Sequence, residues 1–173
     1  MSGAGELSSR ERVMHLLCTC FGLGNSPVAP GTVGTLGGVA LGALLIYSGS
    51  AFPFALFAGI VVLYLGGRVL GDWAERHAAG KDPQFFVLDE VIGYLVTIAW
   101  WMPPSALTLV LGFALFRLFD VWKPWPVKRL ERIGGGDGIL LDDVMAGIWA
   151  FSVLTVIRFT VLDPGAYISG GGA

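Results

Sequence analysis

From residue 13 to residue 67 the chain contains no Asp, Glu, Lys or Arg. An ordinary water-soluble domain, in which about a quarter of residues are charged, would have too little polar surface over such a run. Two further charge-free stretches follow, at 91–116 and 144–157. A membrane-spanning helix needs about 20 mostly apolar residues, within a range of roughly 17–25. The first stretch predicts two spans, near 33–48 and 53–70, separated by Ser48, Gly49, Ser50 and Pro53. Pro103 and Pro104 divide the second into helices near 87–101 and 105–121, and the third, extended past Arg158 through Leu162, predicts a fifth. No strand-like alternation competes with this pattern. The expectation is an all-α, multi-span helical membrane protein of about five helices, with a short N-terminal lead-in helix.

Composition supports the same class. The chain is 54% hydrophobic and 14% charged, with a mean hydropathy of +0.71. These values exclude disorder and a coiled coil. Its 11 basic residues are outnumbered by 13 acidic ones, so no cationic surplus is available for nucleic acid. One helical domain is expected over 13–163, between an N-terminal tail at 1–12 and a Gly-rich tail at 164–173. Cys18 and Cys20 have no His or further Cys at zinc-like spacing and read as buried free thiols.

With five spans, the basic segments fall on one side: Arg10 and Arg12, Arg76 and Lys81, then Lys123, Lys128, Arg129 and Arg132. The positive-inside rule makes that side cytoplasmic. The same map gathers five carboxylates there. Asp89 and Glu90 open span three, Asp120 closes span four, and Asp142 and Asp143 open span five. Arg117 and Lys123 flank Asp120 but cannot neutralise five acids. A divalent cation can, and a ligand set of hard oxygens favours Mg²⁺ over zinc. The segment VLDEVI at 87–92 is echoed by LLDDVM at 140–145, each placing an acidic pair in the first turn of an apolar helix. Acids also favour such positions simply by stabilising the helix macrodipole, but two copies beside Asp120 favour a shared metal site.

The Gly-rich segment at 22–35 enters span one from the same side. Ser26, Thr32 and Thr35, with the backbone N–H groups of a helix N-terminus, are candidate phosphate contacts. Gly34, Gly38 and Gly42 have the small-xxx-small spacing of helix packing. In the stretch at 116–126, Pro124 and Pro126 stop the helix, and Trp122 and Trp125 suit the headgroup level.

Four blocks, SP and APGTVGT within 26–35, LDEVIG at 88–93, FRLFDVWKPWP at 116–126 and GILLDDVMAG at 138–147, together resemble the signature of the phosphatidylglycerophosphatase A family. The resemblance covers about residues 20–150. Leu88 stands where some members carry an aromatic residue, and Asp137 adds an acid in a glycine-rich turn. The resemblance implies a Mg²⁺-dependent phosphatase of the bacterial cytoplasmic membrane, acting on phosphatidylglycerophosphate with its active site facing the cytoplasm. Asp89, Asp120 and Asp142 are then the catalytic candidates, and Asp89, Glu90, Asp120, Asp142 and Asp143 the metal ligands. Ser26, Thr32, Thr35, Arg117 and Lys123 would hold the phosphate. Phosphocysteine, haloacid-type and histidine-nucleophile routes lack their motifs. Attack by an activated water and direct attack by a carboxylate both remain open. The competing class is a cation transporter or channel using the acids as an ion site; their collection at one face, away from the midplane, speaks against it.

Overall fold

Several helices begin or end on a local signal. In the computed structural model, which describes residues 8–162 except 79, 82 and 131, α1 (Ser9–Cys18) opens on a capping box between Ser8 and Glu11. Pro30 starts α2 (Pro30–Ile46), where the missing proline N–H costs no helical bond. A short 3₁₀ turn leads into α3 (Phe52–Ala78). The buried helix α4 (Leu88–Thr97) follows. Ser105 caps α5 (Ala106–Trp122) by accepting a bond from the Thr108 N–H. Lys123 ends α5 in the left-handed region, at φ 47°, and Pro124 prevents continuation. A single turn, α6 (Val127–Leu130), precedes α7 (Gly135–Ile157), which runs into a π-helical turn at Arg158–Leu162. Residues 1–7 of the expected N-terminal tail and the whole Gly-rich tail lie outside the described residues.

The all-helical expectation holds, with no strand among the described residues. The five spans do not all appear as such. Two helical stretches, Gly49–Ala78 and Gly135–Leu162, are long and apolar enough to cross a membrane. The expected third span is α4, which at ten residues is only about 15 Å long. It is the central strut instead, with Val91, Ile92, Tyr94 and Leu95 buried against its neighbours. Leu88 and Thr97 are also buried, and the Tyr94 hydroxyl donates to the Leu109 carbonyl. Helix α2 lies on α4 through the small-residue row. A Cβ on Gly34 would stand 2.6 Å from the Val87 Cβ, and one on Gly42 2.7 Å from the Ile98 Cδ1.

The acidic pair of α7 is a second correction. Asp142 and Asp143 do not open their helix. It starts at Gly135, so they sit in the third turn and are buried. The cause is tertiary. The Asp72 carboxylate accepts from the Gly136 N–H at 2.6 Å, and Glu75 accepts from the Gly135 N–H at 2.9 Å. Two acids of α3 therefore cap α7, turning an apparent glycine-rich turn into helix. A Cβ on Gly136 would collide with the Arg68 backbone carbonyl, so only glycine allows this approach.

The outer surface is apolar. Phe54, Phe57, Val62, Leu65 and Val69 of α3 are exposed, as are Leu107 and Val110 of α5 and Val156 of α7. So many exposed large apolar side chains belong against lipid or protein and not in water.

Candidate active site

Several helices deliver their polar ends to one end of the bundle. Helices α2, α4 and α7 contribute N-terminal parts, and α3 and α5 their C-terminal parts. The entry to α4 is held by the Val87 N–H, which donates to the Cys18 carbonyl at 3.1 Å. Asp89 and Glu90 then occupy its first turn. Helix α7 crosses α4 where both carry glycine: a Cβ on Gly93 would lie 2.7 Å from the Asp143 carbonyl oxygen, and one on Gly147 would strike the Gly93 carbonyl. The glycine that follows each acidic pair is thus the contact that brings the pairs together.

At this crossing one carboxylate oxygen from each of Asp89, Glu90 and Asp143 lies within 4.8 Å of the others. Asp89 and Asp143 are buried. Asp120 lies within hydrogen-bonding reach of Asp143, and its charge acts on both Asp143 and Glu90. Two ion pairs lie beside the cluster. Arg117 Nη1 donates to Asp120 Oδ2 at 2.6 Å, and Lys123 Nζ to Asp142 Oδ2 at 2.9 Å. Asp142 also accepts from the Asp143 N–H through Oδ1 at 3.1 Å. Glu90 Oε2 is buried with no hydrogen-bond partner among the described residues. Crowded, buried, all-oxygen carboxylates with an unfilled acceptor are the donor set that suits a hard divalent cation.

Beside the acids lies a polar cleft of about 470 Å³, lined by Pro27, Gly31, Gln84, Phe86, Glu90 and Arg117 among others. Gly31 is a close approach: a Cβ there would meet the Glu90 carboxylate and stand 3.2 Å from Arg117 Nη1. As first-turn residues of α2, Gly31 and Thr32 have N–H groups with no partner inside the helix. Both cysteines are inert by contrast. Burial pushes the Cys18 and Cys20 thiols up to about 12, leaving almost no thiolate at neutral pH.

A model of the phosphatidylglycerophosphatase A family matches residues 16–158. The chain belongs to that family. Among curated relatives, a putative phosphatidylinositol-3-phosphatase of Bacteroides thetaiotaomicron is 36% identical over 163 residues, covering 84% of this chain and 94% of that protein. The Escherichia coli phosphatidylglycerophosphatase A is 33% identical over 145 residues, covering 83% of this chain and 82% of the relative. That of Haemophilus influenzae is 34% identical over 153 residues, covering 86% and 91%. No solved structure matches the chain. Family membership makes this protein an enzyme, a phosphatase, and decides against the ion-transport alternative.

The structure sorts the residues picked out by sequence. Asp89, Glu90, Asp120 and Asp143 converge, with Arg117 at the cleft wall. Asp142 and Lys123 form a supporting pair next to them. The hydroxyls of the Gly-rich segment are engaged elsewhere: Thr35 is buried and donates to the Gly31 carbonyl, and Ser26 donates to the Val28 carbonyl. Thr32 is half-buried in the first turn of α2. Sequence reasoning missed Gly31 and Gln84 as cleft residues, and Asp72 and Glu75 as anchors of α7. The glycine after Pro30 was a visible signal for the first; the others depend on contacts distant in the chain.

Proposed function

We propose that this enzyme hydrolyses the terminal phosphomonoester of phosphatidylglycerophosphate to phosphatidylglycerol and inorganic phosphate. Its site faces the cytoplasm from a multi-pass position in a bacterial inner membrane, and Mg²⁺ is held by Asp89, Glu90 and Asp143 with Asp120 beside them. The observation that carries this reading is the convergence of these acids next to a polar cleft with Arg117 in its wall. The exposed apolar side chains of α3, α5 and α7 support the membrane setting. Bound in this set, Mg²⁺ would supply Lewis-acid stabilisation of the phosphoryl group.

The chain's own residues perform the rest. Arg117, fixed by Asp120, orients the phosphoryl oxygens from the cleft wall and offsets their growing charge. The N–H groups of Gly31 and Thr32 add neutral donors at a helix N-terminus. A water attacks phosphorus, a carboxylate of the cluster takes its proton, and the bond to the glycerol oxygen breaks. The carboxylic acid so formed returns that proton to the leaving glycerol oxygen. Lys123 keeps Asp142 in place, and Asp142 in turn holds the Asp143 backbone. Asp142 thus acts as a positioning residue, whereas the sequence alone suggested a ligand.

The deciding experiment measures phosphate release by the purified full chain in mixed micelles. Phosphatidylglycerophosphate and phosphatidylinositol 3-phosphate are offered separately, with Mg²⁺ or with EDTA. Release from phosphatidylglycerophosphate that needs Mg²⁺ is expected. Full activity after exhaustive chelation would remove the metal from the mechanism, and release only from the inositol lipid would reassign the substrate.

A further inference from the structure

We propose that the apolar groove between α2 and α3 holds one acyl chain of the phospholipid substrate, and that Gly66 keeps it open. This inference rests on the lipid-phosphatase reading above and adds a second, hydrocarbon subsite to it. The groove encloses about 320 Å³ and is walled by Leu23, Leu41, Leu63, Leu70, Leu88 and Val91. Two of these residues tie it to the chemistry: Leu88 and Val91 bracket Asp89 and Glu90 in the first turn of α4. Cys20, also in the groove wall, is close enough to feel the Glu90 charge. Groove and phosphate cleft therefore lie on neighbouring flanks of the same helix end, since successive helical residues point about 100° apart.

Gly66 is not a packing glycine. A Cβ there would meet nothing within 4 Å, whereas one on the adjacent Gly67 would press on Leu140 at 3.1 Å. Space is left open at Gly66 in the apolar part of α3, between Leu63 and Leu70 of the groove wall. The outer faces of α2 and α3 carry exposed Leu36, Leu65 and Val69, so a hydrocarbon chain reaches the groove sideways without crossing water. The substrate's anatomy fits. A glycerol, a phosphodiester and a second glycerol separate its terminal phosphate from its acyl esters, a tether that can pass around the first turn of α2. A second apolar cavity, of about 340 Å³ and lined by Phe57, Ile60, Trp100 and Trp101, lies beyond the far end of α4 and has no such connection to the acids.

The test fills the groove. Gly66→Leu and the milder Gly66→Ala are assayed in the full chain on dioleoyl and dihexanoyl phosphatidylglycerophosphate. Gly66→Leu is expected to lower kcat/KM for the dioleoyl lipid about tenfold, mainly through KM, with Gly66→Ala intermediate. The dihexanoyl lipid should change by less than about twofold, because its short chains bury little in the groove. A second measurement needs no turnover. In metal-free protein, alkylation of Gly66→Cys by N-ethylmaleimide should be slowed by dioleoyl phosphatidylglycerophosphate and not by dioleoyl phosphatidylcholine. Unchanged dioleoyl kinetics, or equal losses with both substrates, would overturn the proposal. So would equal protection by the two lipids, which would mean that the groove holds bulk bilayer chains. Failure of the phosphatase reading shows separately, as absence of phosphate release by the unsubstituted protein.

Discussion

Asp142 and Asp143 are adjacent acids of the same length and similar burial, yet they face different partners. Asp143 turns toward Asp89 and Glu90, and Asp142 toward Lys123. Asp89→Asn and Asp143→Asn are each expected to remove most turnover. The double variant should be little worse than either, because residues acting as a unit are strongly non-additive. Asp142→Asn should cost less, about 10–100-fold in activity or Mg²⁺ affinity, the usual effect of losing a partner behind the ligands. Kinetics across a Mg²⁺ titration separates the cases: raising Mg²⁺ should partly rescue Asp142→Asn and leave Asp143→Asn inactive. The variants also test a simpler role as helix-dipole acids, worth about 0.3–1 kcal/mol each. That role is already excluded for Asp142 and Asp143 by their place in the third turn of α7; for Asp89 and Glu90, near-normal turnover with lowered thermal stability would restore it.

Among the elements, α7 depends most on its neighbours. Its first turn has no side-chain cap of its own and is held by Asp72 and Glu75 of α3. Gly136→Ala would drive a methyl group into the Arg68 carbonyl, which is backbone and cannot step aside. The expected loss is about 1–3 kcal/mol, typical of overpacking, read as a lower thermal midpoint in detergent. Activity should fall with it, since the start of α7 sets the position of Asp143. Gly59→Ala in α3 is the control. Its methyl would meet nothing within 4 Å, and alanine gains up to about 1 kcal/mol over glycine inside a helix, so the midpoint should hold or rise.

For the whole molecule, the proposed orientation has a direct measure. Ser50→Cys lies in the short α2–α3 connection, at the end of the bundle opposite the acids, and Lys128→Cys lies on α6. An impermeant maleimide added to intact cells should label the first and spare the second. The native thiols contribute little background, because burial holds both at about 12 and the thiolate is the reactive form. The opposite labelling pattern would place the acids on the outer face, away from substrate made in the cytoplasm.

Charge-free runs, prolines and the order of short motifs are local properties, so the chain by itself determined the helical class, the positions of the main helices and the family chemistry. It also marked Asp89, Glu90, Asp120, Asp142, Asp143 and Arg117 as residues to watch. Only the tertiary structure decided that α4 is a buried strut and not a span, because burial by neighbouring helices is invisible in a ten-residue apolar segment. It also decided that the glycine-rich segment 134–138 includes the start of a helix, since the carboxylates capping it come from some sixty residues earlier in the chain. The directions in which Asp142 and Asp143 face were of the same kind. Adjacent helical residues differ by about 100° in direction, and the rotation of α7 about its axis is set by the Gly93–Gly147 crossing with α4.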